Sequence, residues 1–220
     1  MVKNFLKNNF WVLCLYIIAL CTALFFILNY EKTTIHIYIN QYVGNRFVDA
    51  FFFYITYLGD GTMAVFILLV ILLVNIRLGL CTAFSFLSAS LVSNSLKYFF
   101  FDDVNRPSFT FNYIEKYPIN YVEGLDIHLH NSFPSGHATQ AFAILMCLVF
   151  ASKNHYLKIL FFTIALLTAL SRVYLSQHWL IDITAGSIIG TSFSLLCEYF
   201  IIHKNKFEKL NKSVFAFKSS

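Results

Sequence analysis

The sequence predicts an all-α membrane protein: a bundle of six transmembrane helices with an extracytoplasmic loop between helices 3 and 4. Three observations predict it. Hydrophobic residues make up 58% of the chain and charged residues 12%, with 26 Phe among 220 residues, far from the balance of a soluble domain. Apolar runs recur, and the longest can cross a hydrocarbon core of about 30 Å at 1.5 Å per helical residue. Basic residues gather on alternate connections between these runs, as the positive-inside rule requires of a polytopic protein. The whole of 1–220 reads as a single membrane-embedded domain, with a core at about 49–198 and a basic cytoplasmic tail at 203–220.

The first span, at about 10–30, has no charge. Lys3 and Lys7 precede it as they would a signal peptide. The stretch is too long for a signal core and no small-residue cleavage site follows, so a retained helix is expected. In 31–49, Ile35, Ile39, Val43 and Phe47 recur at about helical spacing. That pattern predicts an amphipathic helix lying on the outer surface, with an ordinary loop as the alternative. The second span takes 53–76, its outer half loosened by Gly59, Asp60 and Gly61. A third covers 78–101, where Ser85, Ser88, Ser90, Ser93 and Ser95 allow close helix approach. The polar stretch 102–134 is the one long loop, and such loops are usually functional or disordered. Three shorter spans follow at about 137–152, 157–175 and 181–203.

Six spans with the N-terminus inside place ten basic and two acidic residues on the cytoplasmic side, against six basic and nine acidic outside. The long loop then faces out. The net charge of +5 does not indicate nucleic acid, because the only basic cluster is the tail lysines 204, 206, 209, 212 and 218, which suits an anchor beside anionic lipid. Cys14, Cys21, Cys81, Cys147 and Cys197 all lie in apolar runs. They are expected to be free, buried thiols, with neither a disulfide framework nor a zinc site.

Chemistry concentrates at the outer helix ends. Lys97, Arg106 and Arg172 sit in or beside apolar segments, where an ionised side chain is costly and marks a functional candidate. A snorkelling cation is the alternative for each taken singly. Pro134-Ser135-Gly136-His137 immediately precedes the fourth span. Ser135 can cap that helix, Gly136 admits close approach of a ligand, and the helix N-terminus favours an anion. His178 and Asp182, four residues apart, would share a helix face, so that the carboxylate orients the ring while the other nitrogen meets substrate. His128 and His130 alternate as metal ligands can, but no nearby Cys or third His completes a set. Tyr121, Glu123 and Asp126 are candidates for shaping substrate entry.

In combination these motifs resemble the type 2 phosphatidic acid phosphatase family. A Lys and an Arg-Pro pair come first, then Pro-Ser-Gly-His, then Ser171-Arg172, five residues, His178, three residues and Asp182. The family is itself similar to soluble acid phosphatases and vanadium haloperoxidases. The resemblance implies a lipid phosphate as substrate, no cofactor and no metal. It implies that His178 attacks phosphorus to form a phosphohistidine, Asp182 orients its ring and His137 protonates the leaving oxygen. Lys97, Arg106 and Arg172 would hold the phosphate, assisted by Ser135 and Gly136. One departure stands out: the family usually has six residues between the Lys and the Arg-Pro, whereas eight separate Lys97 from Arg106. As a continuous helix that interval would span about 14 Å, so the chain must leave the helix and fold back. Rival readings are a phosphotransferase or haloperoxidase using the same pocket, or a non-enzymatic lipid-binding or transport protein. The abundance of Lys, Asn, Ile and Phe fits an AT-rich bacterial genome. It points to an envelope lipid (undecaprenyl diphosphate, phosphatidylglycerophosphate, phosphatidate or lipid A) in the inner or plasma membrane. Protein partners leave no signature.

Overall fold

The computed structural model describes residues 2–199 and 210–213. Among them the helices are α1 (Val2–Asn29), α2 (Lys32–Asn40), α3 (Arg46–Ile55), α4 (Gly61–Val74), α5 (Ile76–Phe99), the short α6 (Pro107–Phe109), α7 (Gly136–Ala151), α8 (His155–Tyr174) and α9 (Leu180–Cys197). Four of these, α1, α5, α8 and α9, are long and apolar enough to cross a membrane. A fifth crossing is available if α3, its 3-10 extension Thr56–Gly59 and α4 count as one span, bent by 63°. The chain is therefore an all-α polytopic membrane protein.

The expected second span is thus a broken one. It begins earlier, at Arg46, and breaks at Asp60. Asp60 leaves helical geometry and its carboxylate accepts from the Thr62 amide at 2.8 Å, starting α4 afresh. This is an N-cap in the middle of an apolar run. The amphipathic stretch is likewise two helices: Gly44, at φ +110, turns the chain between α2 and α3.

At the centre lies α7, packed by α5, α8, α9 and α4. It is 16 residues long and apolar on nearly every face, as a helix enclosed by protein should be. Phe142, Met146 and Val149 of α7 meet Phe162 and Val173 of α8 and Ile183 of α9. The closest approach is between α7 and α9. A Cβ on Gly190 would stand 2.4 Å from the Thr139 carbonyl, and one on Gly186 would stand 2.6 Å from the Ser135 carbonyl. By contrast α1 is peripheral and turns Trp11, Ile17, Ile18 and Phe25 outward. Surface of this kind suits lipid.

The cysteines need a correction. Cys81, Cys147 and Cys197 cluster in the interior, but Cys14 is only half-buried and Cys21 is exposed, because both ride on the peripheral α1. Of the basic tail, only Leu210 to Ser213 are described. The Lys212 carbonyl there accepts from the Ile76 amide at 3.1 Å. The remainder of the tail, and the expected end of the last span, lie outside the described residues.

Candidate active site

At one end of the bundle the chain gathers Lys97, Arg106 and Arg172 with only 7%, 8% and 6% exposure. Each comes from a different element. Lys97 closes the last turn of α5, Arg106 stands just before α6, and Arg172 lies in the last turn of α8. The long interval between Lys97 and Arg106 does fold back. Val104 and Arg106 pair with the far side of the loop, through Ser132 N to Val104 O at 2.9 Å and Arg106 N to Leu129 O at 2.9 Å. Asn131 is in the left-handed region at φ +56, which an asparagine tolerates. Its carbonyl accepts from both Lys97 Nζ (3.0 Å) and Arg106 Nη2 (3.4 Å), so the two cations converge despite the eight intervening residues.

Neutral groups hold these cations. Arg106 also donates to the His130 carbonyl (2.8 Å) and to the carbonyl and side-chain oxygens of Gln177 (3.1 and 3.2 Å). Arg172 donates from Nη1 to Thr56 Oγ1 at 2.9 Å, while its Nε has no partner among the described residues. Among those residues none of the three makes an ion pair within 4.0 Å; His178 with Asp182 is the pair the site contains. Burial pushes the Arg106 guanidinium down from its ordinary pKa. Asp182 and Asp60 offset these charges only from beyond contact distance; buried charge without a contact partner is costly, and a tetrahedral anion in the middle would offset that cost for all three at once.

His178 is 2% exposed and lies in the turn between α8 and α9. The expected shared helix face is therefore replaced by a loop-to-helix entry, since α9 begins two residues later at Leu180. Asp182, in the first turn of α9, folds back over that entry. Its Oδ2 accepts from the Trp179 amide (2.9 Å) and Ser132 Oγ (2.5 Å), and reaches His178 Nδ1 at 3.4 Å. One carboxylate thus starts the helix and faces the imidazole. The His178 ring is held well below its ordinary pKa, first by burial and then by Arg106, Arg172, Lys97 and His137. It is neutral at physiological pH. With Asp182 as acceptor the proton belongs on Nδ1, leaving the Nε2 lone pair free.

On the other wall, Ser135 caps α7: its Oγ accepts from Ala138 N at 3.4 Å, and its amide donates to the Asp182 carbonyl at 3.0 Å. That bond ties the two helix entries together. It leaves the first-turn amides of Gly136 and His137, which have no intrahelical acceptor, at the head of the helix. His137 is half-buried and within electrostatic reach of Arg172, Asp60, Arg106 and Lys97. All eight residues singled out from the sequence therefore lie around one end of α5, α7, α8 and α9.

Sequence reasoning missed the residues that set this geometry. Ser132 and Gln177 carry no motif signal, and Thr56 lies on the 3-10 segment that hydropathy absorbs into a span. The Asn131 carbonyl leaves no trace in a side-chain pattern at all. The loop candidates divide. Gln177 Nε2 donates to the Asp126 carbonyl at 3.1 Å, Tyr121 donates to Asn112 Oδ1 at 3.2 Å, and Glu123 is exposed. His130 Nδ1 pairs with Asn105 Oδ1 at 2.9 Å. Among the described residues no three His, Cys, Asp or Glu side chains gather as metal ligands, so His128 and His130 have no third partner.

The comparisons with known proteins bear on this arrangement. Residues 78–206 match the PAP2 superfamily. A lipid A 1-phosphatase of Porphyromonas gingivalis is 36% identical over 62 residues, 27% of this chain and 14% of that protein. A lipid A 4'-phosphatase of Bacteroides thetaiotaomicron is 36% identical over 72 residues, 33% of this chain and 32% of that protein. The matched stretches thus span at most about a third of these relatives. Two crystal structures share the fold at 23% identity. LpxE of Aquifex aeolicus has a TM-score of 0.67 and covers 79% of this chain and 99% of its own. A transmembrane PAP2-type phosphatidylglycerolphosphate phosphatase of Bacillus subtilis has a TM-score of 0.61 and covers 89% and 98%.

Proposed function

Because this chain belongs to the PAP2 superfamily, we propose that it is a metal-independent lipid phosphatase that removes phosphate from an envelope lipid through a phosphohistidine. The observation that carries this reading is the convergence of three buried cations, none in contact with a carboxylate among the described residues, beside a neutral histidine whose other nitrogen faces Asp182.

In the first step the lone pair of His178 Nε2 forms a bond to phosphorus while the bond from phosphorus to the lipid oxygen breaks. The proton on Nδ1 stays between the ring and Asp182, which offsets the positive charge developing on the imidazole. His137, which enters the cycle as the imidazolium with the phosphate dianion bound beside it, delivers its proton to the departing oxygen. In the second step His137 takes a proton from water, the water oxygen attacks phosphorus, and the bond to Nε2 breaks. Inorganic phosphate leaves and His178 is regenerated. Throughout, Lys97, Arg106 and Arg172, with the amides at the head of α7, neutralise the equatorial oxygens. Phosphoryl transfer asks for little beyond such positioning and charge.

The substrate class follows from where this site sits relative to lipid. Six spans, with the short α7 counted as the fourth, would leave the pocket at the outer boundary of the membrane. α7 can be short because protein surrounds it. A phosphate monoester or diphosphate at the head of a bacterial envelope lipid would reach the cations while its chains stay in the leaflet. The matched lipid A phosphatases and the phosphatidylglycerolphosphate phosphatase of the same fold support lipid A and phosphatidylglycerophosphate as the first substrates to try.

The test is phosphate release by purified protein from lipid A, phosphatidylglycerophosphate, phosphatidate and undecaprenyl diphosphate side by side. Release that persists in chelator, is inhibited competitively by vanadate and is abolished in His178→Ala is expected. Unchanged turnover in folded His178→Ala would remove the covalent mechanism. Activity that chelator abolishes and a divalent ion restores would remove the metal-independent reading.

A further inference from the structure

We propose that His36, on the surface helix α2 and outside the stretch matched to the family, is a positioning residue that fixes the turn carrying the nucleophile. The inference rests on the phosphatase reading above. Two contacts support it, one on either side of His178. His36 Nε2 lies 3.0 Å from Ser176 Oγ, two residues before the nucleophile. The His36 ring meets Trp179, the residue after it, edge-on at 5.6 Å, and leans on Phe111 of the outer loop at 5.3 Å.

The turn needs such a hold. Ser176 is at φ +55, a conformation that costs a non-glycine residue energy and persists only where its surroundings enforce it. His36 is 1% exposed, and with Asn40 it is one of the two buried residues of α2. Asn40 anchors the same face by a paired contact with the Asn120 backbone, 2.8 Å in each direction. From the start of α2, Lys32 Nζ stands 4.8 Å over the Trp179 ring. Helix α2 therefore clasps the nucleophile turn and the outer loop together.

The ring's protonation follows from its partners. Burial lowers the His36 pKa to about 4, so the ring is neutral at pH 7. Its Nδ1 has no partner among the described residues. An unpaired buried N–H is rarer than an unpaired acceptor, so the proton belongs on Nε2, which donates to Ser176 Oγ. A glutamine amide can offer an N–H at about the same place, and a phenylalanine can replace the ring but not the donor.

Three variants separate positioning from core filling, assayed with whichever lipid the wild type turns over. His36→Phe keeps the contacts to Phe111 and Trp179. It should lower kcat by about 10- to 100-fold with KM within about twofold, the loss expected when a reacting group is displaced by up to an ångström. His36→Gln should recover most of that loss. Ser176→Ala should reproduce it, and adding it to His36→Phe should cost nothing more, since both remove one bond. Wild-type kcat in His36→Phe, a loss confined to KM, or losses that multiply in the double variant would overturn the inference while leaving the phosphatase reading intact. A wild type that releases phosphate from none of the lipids would overturn both. Should His36→Phe unfold, the comparison of His36→Gln with Ser176→Ala still decides: with the bond kept in one and lost in the other, equal kcat values overturn the proposal.

Discussion

At the scale of single residues, the charge environment of His178 makes a prediction about pH. Its pKa is depressed below the ordinary 6.5, by burial first and by Arg106 next, so the neutral, nucleophilic form survives as pH falls through 6.5. In the free enzyme the His178 imidazole resonances are therefore expected to titrate below pH 6.5. In Arg106→Gln, with one repelling charge gone, that titration should move up toward 6.5. A ring that titrates at or above 6.5 in the wild type would show that it is not held neutral. Arg172 makes a second prediction, because it is the most enclosed of the three cations and presents an unpartnered Nε. Arg172→Ala should lower kcat/KM by about 10²- to 10³-fold, the scale of losing one preorganised donor to a developing oxyanion. Arg172→Lys should recover little of it, since an ammonium lacks the planar fork. Steady-state kinetics on the purified variants decides this. These residues were legible in the sequence because each is chemically conspicuous: a cation or a histidine at the end of an apolar run. Ser132, Gln177 and the Asn131 carbonyl were not. Their work depends on where the loop folds, and loop folding leaves no periodicity to read.

At the scale of elements, hydropathy located the helices and mistook two of their joints. The break at Asp60 is a capping event inside an apolar run, and a window average has no access to it. The spacing of Ile35, Ile39, Val43 and Phe47 suggested one amphipathic surface helix, and it is silent on the polar residues that tie that helix down: the buried residues of α2 are His36 and Asn40, Ile35 and Ile39 are half-buried, and of the two beyond its end Val43 is buried and Phe47 is 86% exposed. Next to a membrane the apolar exterior is lipid and the protein side is the polar site, so amphipathicity alone does not say which face is the inner one. Ile35, Tyr38 and Ile39 line an apolar cavity of about 600 Å³ between α1, α2, α8 and α9, and none of the catalytic candidates shares that lining. The packing of α7 on α9 yields the prediction proper to this scale. A Cβ at residue 190 would meet backbone, the Thr139 carbonyl at 2.4 Å and the Ala143 amide at 2.7 Å, so no rotamer change relieves it. Gly190→Ala should destabilise the protein by about 1–3 kcal/mol, measured as a lowered midpoint of thermal unfolding in detergent. An unchanged midpoint would mean that α9 can slide away from α7 at no cost.

At the scale of the whole molecule, the proposal requires every catalytic group to stand on one side of the membrane, and that side to be the outer one. Coming together at one end of the bundle is a property of the fold; facing outward rests on charge. Ten basic and two acidic residues fall on the side assigned to the cytoplasm, against six and nine on the other. The imbalance is firmer than it looks, because three of the six outward cations, Lys97, Arg106 and Arg172, are buried in the site and so have a reason to be there apart from topology. The exposed cysteine and the loops allow a direct measurement. In a variant with Cys21→Ser, a cysteine placed at Asp126 should react with a membrane-impermeant maleimide on intact cells. One placed at Lys153, in the short connection between α7 and α8, should react only after permeabilisation. The reverse pattern would turn the pocket toward the cytoplasm and restrict its substrates to lipids of the inner leaflet, with the chemistry at His178 unchanged.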